Sequence, residues 1–213
     1  MEKSFWHERW EHNQIGFHEG EPNRLLVRHF EALSLKPGAR VFLPLCGKTR
    51  DIHWLLSKGY RVAGAELSPL AIQQLFGDLD LAPQVSAEGK LDRYQAENID
   101  IFVGDIFDLT ADMLGPVDAA YDRAALVALP DDMRGRYAGH VAAITASAPQ
   151  LLVAFEYDQS RMDGPPFSIS QDEVVRRYAS TYEMALLERT EVEGGLKGQC
   201  EAQEAVWLLS PKR

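Results

Sequence analysis

The sequence predicts an α/β fold, a parallel sheet covered by helices on both faces, and three observations predict it. Short apolar runs alternate with stretches of helical periodicity along most of the chain, and such alternating units build parallel sheets. One run, Val41-Phe42-Leu43-Pro44-Leu45-Cys46-Gly47, reads as a buried strand whose closing glycine lets the chain turn sharply into a helix near Asp51. The length, 213 residues, suits one domain with a full core and is short for two.

Residues 1–23, rich in Trp, His and Glu, stand outside the alternating pattern as an N-terminal segment, here expected to form a lid on a single domain spanning 1–213. Residues 24–33 carry Leu25, Leu26, Phe30 and Leu33 at helical spacing, and Lys36-Pro37-Gly38 breaks that helix. A strand is expected at 41–45, a helix at 51–57 and a second strand at 61–66. The next helix, 69–76, opens with Pro69 in its first turn behind the capping Ser68. A polar stretch, 86–98, reads as a connection into a third strand at 99–103. A fourth strand is expected at 118–122, a helix at 131–148, and the strongest strand signal at 150–157. A helix at 171–181 precedes strands near 184–190 and 205–209. No helix separates these last two, so they are expected to pair antiparallel at one edge.

Bulk composition narrows the function. Hydrophobic residues make up 46% and charged residues 25%, ordinary for a soluble globular protein. The net charge of -10 opposes a nucleic-acid partner. No apolar stretch approaches the roughly 20 residues that span a bilayer. The N-terminus lacks the apolar core of a signal peptide, and two cysteines, Cys46 and Cys200, make no disulfide framework. A cytoplasmic protein is expected.

The chemistry is concentrated at the expected strand ends. Glu66 closes the second strand, where an acid accepts hydrogen bonds from ribose hydroxyls in nucleotide-binding α/β folds. A dinucleotide site would want a three-glycine turn for close approach to a pyrophosphate, and 43–49 holds one glycine and a proline. A ribose acid without a pyrophosphate cradle points to an adenosine ligand lacking phosphates, of which S-adenosylmethionine is the common one. Asp105 and Ile106 follow the third strand, where an acid would take the adenine amine and an aliphatic side chain cover the ring; the alternative for Asp105 is a helix cap. Arg123 ends the fourth strand, with bidentate donors for the cofactor carboxylate or an anionic acceptor, or else an ion pair with Asp122 or a neighbour. Trp6, Trp10 and Phe17 supply aromatic faces that attract a sulfonium cation, although Trp6 and Trp10, spaced i and i+4, also suit packing on the core.

Other motifs fail on spacing. Gly47-Lys48-Thr49 is no phosphate-binding loop, because the position needing the first glycine is Phe42. His7, His12 and His18 fall on different helical faces, and no zinc pattern includes Cys46 or His53, so no metal site is expected. No Ser-His-Asp or Cys-His arrangement is defensible.

Over nearly its whole length the chain is similar to the thiopurine S-methyltransferase family, in its bacterial branch. The matching stretches are 10–18, Val41-Phe42-Leu43-Pro44-Leu45-Cys46-Gly47-Lys48, 62–68, Ile106-Phe107-Asp108-Leu109, Tyr121-Asp122-Arg123-Ala124-Ala125-Leu126-Val127-Ala128-Leu129 and Gly164-Pro165-Pro166-Phe167. The resemblance implies a class I, Rossmann-like S-adenosylmethionine-dependent methyltransferase fold with a mixed seven-stranded sheet. It implies that Trp10, Leu45, Glu66, Ile106 and Arg123 contact S-adenosylmethionine and that Phe17 lines the acceptor pocket. Members methylate aromatic and heterocyclic thiols, and bacterial members are associated with selenium and tellurium compounds, hence with tellurite resistance. Mammalian members carry a further arginine before the last strand, where this chain offers only Lys197.

The expected reaction is in-line transfer of a methyl group to an acceptor thiolate, releasing S-adenosylhomocysteine, with no general base named because a heteroaromatic thiol is already partly ionised. The expected partner is a small thiol or chalcogen acceptor, met by a monomer without nucleic acid or membrane. Two alternatives stay open: a methyltransferase for another small oxygen or nitrogen acceptor, and a non-catalytic adenosyl-ligand binding protein on the same fold.

Overall fold

A computed structural model describes residues 3–16 and 18–212. A nine-stranded mixed sheet organises the molecule: β1 (Arg40–Pro44), β2 (Arg61–Glu66), β3 (Gln84–Glu88), β4 (Leu91–Ala96), β5 (Ile99–Val103), β6 (Ala119–Arg123), β7 (Gln150–Tyr157), β8 (Tyr182–Glu191) and β9 (Ala202–Pro211), in the spatial order β3-β4-β5-β2-β1-β6-β7-β9-β8. The central five, β5-β2-β1-β6-β7, run parallel, and the strands beyond them on either side pair antiparallel. As expected, β8 and β9 close one edge as an antiparallel pair.

The side chains show why the centre is so apolar. Strand residues alternate between faces, so Val41 and Leu43 join one hydrophobic cluster and Phe42 the other. The first cluster takes α2 (Arg24–His29), α3 (Arg50–Ser57) and α4 (Pro69–Asp78), through Leu25, Ile52, Leu55, Ile72 and Leu75. The second takes α5 (Ala111–Leu114), α6 (Asp131–Ile144) and α7 (Gln171–Tyr178), through Leu114, Tyr137, Val141, Val174 and Tyr178. Covered on both faces, β1 is buried at all five positions, which is why it reads as a continuous apolar run. The N-terminal segment contributes α1 (Lys3–Glu11).

The expected seven strands are corrected to nine. The polar stretch at 86–98, read as a connection, belongs to the hairpin β3–β4, which Gly89 (φ 65°) and Lys90 close in a two-residue turn. Its strands escape a periodicity search because β3 is solvent-facing almost throughout and β4 is held largely by polar pairing, with Arg93 donating to Asp100 Oδ1 at 2.8 Å. The helix expected over 131–148 ends earlier, at Ile144, because Ala146 and Ser147 turn into the left-handed region. Among the described residues no helix is long and apolar enough to cross a membrane.

Candidate active site

Parallel strands bring their carboxyl ends to one edge, and a ligand crevice forms there where the order of connections reverses. Here that edge opens into a cleft of about 780 Å³, a volume suited to a small-molecule ligand. Trp10, Leu45, Glu66, Asp105, Ile106 and Arg123 all line it. Phe17 lies outside the described residues.

The floor is built around the turn after β1. Leu45 (φ 48°) and Gly47 (φ 51°) both adopt left-handed backbone, the first at a cost, the second without one. Glu66, 6% exposed, braces this turn: Oε2 accepts from Gly47 N at 2.8 Å and Oε1 from Ser68 N at 2.9 Å. A carboxylate offers about four acceptor sites, so each oxygen keeps capacity for a donor from the cleft. Burial raises the Glu66 pKa while the backbone amides of Ser68, Gly47 and Leu67 oppose the rise. Thr49 caps α3, and Cys46 is buried with its thiol pushed well up by burial, an inert group rather than a nucleophile.

Beyond β5, Gly104, Asp105, Ile106 and Phe107 form the next wall. Asp105 is a cap as well as a cleft residue, its Oδ1 accepting from Phe107 N at 3.0 Å. The Ile106 carbonyl is fixed by His140 Nε2 at 2.7 Å, and Arg136 stacks 3.8 Å above the Phe107 ring.

At the end of β6, Asp122 and Arg123 face different tasks. Asp122 is buried beneath the site, accepting from Tyr137 Oη at 2.7 Å and from Leu126 N at 3.1 Å, and burial pushes its pKa up to about 6. It makes no ion pair with Arg123, whose Nη2 instead donates to Glu19 Oε1 from the N-terminal segment. Burial holds the Glu19 pKa up against the pull of Arg123. Ala124 (φ 62°) follows as a second non-glycine residue in left-handed backbone lining the cleft.

The N-terminal segment closes the remaining side. The buried Trp10 ring lies over the Gly47 turn, where a Cβ would stand 3.1 Å from Cζ2, so this tryptophan anchors α1 while also lining the cleft. Trp6 and Arg9 line the cleft too, as do Pro165, Pro166 and Lys197, whose Nζ donates to the Pro165 carbonyl at 2.6 Å.

Four cleft residues escape sequence reasoning. Glu19 reaches Arg123. Asp51, 1% exposed in the first turn of α3, accepts from Asn23 N at 2.7 Å through Oδ1. Its Oδ2 and the Tyr121 hydroxyl are buried and make no hydrogen bond among the described residues. Burial and then the Asp51 charge push the Tyr121 phenol pKa well up. His18 also lines the cleft, and burial followed by Lys48 and Arg50 lowers its pKa. The sequence signal for Asp51 was its place one turn beyond Gly47; the others have none that spacing reveals.

Comparison with known proteins identifies the family. The profile described as Thiopurine S-methyltransferase (TPMT) matches residues 1–210. A thiopurine S-methyltransferase of Xanthobacter autotrophicus is 60% identical over 210 residues, covering 98% of this chain and 99% of that protein. One of Gluconobacter oxydans is 50% identical over 97% of this chain and 94% of its own. Among solved structures, the 1,6-didemethyltoxoflavin-N1-methyltransferase of Burkholderia thailandensis, with bound S-adenosylhomocysteine, superposes with a TM-score of 0.68 at 15% identity, covering 99% of this chain and 87% of that one. On the full-length match and the high identity, this chain belongs to the thiopurine S-methyltransferase family, S-adenosylmethionine-dependent methyltransferases.

Proposed function

We propose that the chain methylates small aromatic and heterocyclic thiols, thiopurines among them, by in-line transfer to a thiolate. The observation that carries the reading is Glu66: buried at the end of β2 beside a one-glycine turn, with acceptor capacity left toward a cleft of small-molecule size. The residues fit an adenosyl amino acid. Glu66 would take the ribose hydroxyls, Asp105 and Ile106 the adenine, and Arg123 the carboxylate, with Leu45 and Trp10 packing along the ligand. Bound S-adenosylmethionine supplies an activated methyl group. The chain's own part is orientation, exclusion of water by the N-terminal lid, and a cationic surround that favours an anionic acceptor.

That surround is specific in an acidic protein. Arg9, Arg136 and Lys197 line the cleft and make no ion pair among the described residues, which also supports chalcogen oxyanions as acceptors. A thiolate needs no strong base, so rate should follow the ionisation of the acceptor. Release of S-adenosylhomocysteine, followed over a pH series with thiols of different acidity and with a chelator present, tests this. Rates rising through each thiol's own pKa, undiminished by the chelator, are expected; a profile fixed across thiols would defeat it. A second reading, an oxygen or nitrogen acceptor served by a protein base, is favoured by one observation: His18, its pKa lowered by burial and by Lys48 and Arg50, stands in the cleft. A fixed profile abolished in His18→Gln would select it.

A further inference from the structure

The polar atoms Asp51 Oδ2 and Tyr121 Oη, at the β1–β6 end of the cleft, are not used by the fold's hydrogen bonds. A carboxylate oxygen and a phenol hydroxyl, near each other and both removed from water but in no well-formed hydrogen bond, are expensive to leave so. The fold uses only half of Asp51: Oδ1 holds the backbone of Asn23, the residue that caps α2, and Oδ2 is left over. Both residues line the cleft, and Arg123, two residues beyond Tyr121 on the same strand, brings the donor for an anion.

Sheet order says which part of a ligand arrives there. Asp105 follows β5, Glu66 ends β2, the Gly47 turn follows β1, and Tyr121 and Arg123 end β6; those four strands are consecutive neighbours. A ligand with adenine at Asp105 and ribose at Glu66 therefore carries its amino-acid end toward β6. That end is a zwitterion, needing an acceptor for an ammonium beside a donor for a carboxylate.

We propose that Asp51 Oδ2 receives the α-ammonium of the cofactor, with the Tyr121 hydroxyl beside it, while Arg123 receives the α-carboxylate in place of Glu19. This rests on the adenosyl-cofactor reading above. Asp51 is thus a cofactor-binding residue, and Glu19 is an internal anion that keeps the Arg123 guanidinium paired until the cofactor's own carboxylate arrives. Glu19 belongs to the N-terminal segment, so the exchange also ties cofactor binding to the placement of that segment.

The test is calorimetric titration with three probes: S-adenosylhomocysteine, its analogue with the α-amino group replaced by hydrogen, and 5′-methylthioadenosine, which lacks the amino-acid end. Wild-type protein should bind the deamino analogue about 10- to 150-fold more weakly than S-adenosylhomocysteine, the range for a lost hydrogen bond to a charged group. Asp51→Asn keeps an oxygen for the Asn23 amide, so the α2 cap survives. This variant should lose a similar factor for S-adenosylhomocysteine and bind 5′-methylthioadenosine as wild type does. Equal wild-type affinity for the amino and deamino ligands overturns the proposal, and needs no variant to fold. A loss in Asp51→Asn shared by 5′-methylthioadenosine also overturns it, as a merely structural effect. Wild-type protein that binds none of the three would bring down the cofactor reading as well, which separates the two failures.

Discussion

The cleft has two unlike sides. Its floor, at the ends of β1, β2, β5 and β6, is braced by bonds from backbone amides to a side chain, as where Glu66 accepts from both Gly47 and Ser68. Its N-terminal wall is held by a few long-range contacts: the Trp10 ring over Gly47, Glu19 on Arg123, and the Asn23 amide on Asp51. Glu66, with two backbone donors, would keep its geometry without ligand. The wall's contact with Arg123 runs through the Glu19 carboxylate, which a ligand carboxylate can replace. A rigid platform and an exchangeable cover are what a site needs if it is to admit a cofactor and then exclude water.

The largest expected effect breaks the floor. Glu66→Ala should weaken S-adenosylhomocysteine binding by about 100-fold or more, since hydrogen bonds to a charged acceptor are worth about 1.5–3 kcal/mol each. It should also lower the melting temperature, because the Gly47 and Ser68 amides lose their acceptor in a buried site. Unchanged calorimetric affinity would remove the ribose assignment, and an unchanged melting temperature would show that the turn needs no brace. Arg123→Ala, which loosens floor and wall together, should reduce turnover by about 10- to 100-fold; Arg123→Lys should restore only part, because a point charge cannot reproduce a planar fork. Full rescue by lysine would argue against bidentate placement.

A third test concerns the support beneath the floor. Burial raises the Asp122 pKa from 3.8 to about 6, so the folded protein keeps a proton that the unfolded chain releases. Stability from this group is full below pH about 4, falls as pH rises toward 6, and is flat above, a loss of about 2–3 kcal/mol. Denaturant melts from pH 4 to 7 should show that fall in wild type and not in Asp122→Asn; parallel curves would refute it. The smallest effect belongs to the wall. Proteolysis near residues 12–20 should slow when cofactor and acceptor are added, and Glu19→Gln should change cofactor affinity only a few-fold. Equal cleavage with and without ligand would make the segment plain packing rather than a lid.

What the sequence made legible follows the same division. The strands of the floor are buried on both faces and announce themselves as apolar runs, and the residues at their ends could be placed by element order alone. Glu66, Ile106 and Arg123 are of this kind. β3 and β4 carried no such signal, because a mostly exposed hairpin joined through Arg93 and Asp100 is polar by necessity. The wall was opaque for another reason: its contacts join residues far apart in the chain, 104 positions between Glu19 and Arg123 and 28 between Asn23 and Asp51. Residue types alone suggested an aromatic lid there, but not which acid would meet Arg123. For Asp105 and Trp10 the competing structural readings, cap and anchor, are realised in residues that also line the cleft.

Leu45 and Ala124 sit on adjacent strand ends in a backbone region that suits glycine, at φ 48° and 62°. Each such residue holds about 1–3 kcal/mol of conformational energy that the surrounding core must counterbalance. Selection for heat tolerance alone would find these positions among the easiest to relax. Replacing Ala124 with Gly deletes only a methyl group, but it frees the chain next to Arg123. Thermal robustness and precise placement of the guanidinium therefore pull against each other at this one residue, and a laboratory search for hardier variants should find its gains there accompanied by slower turnover.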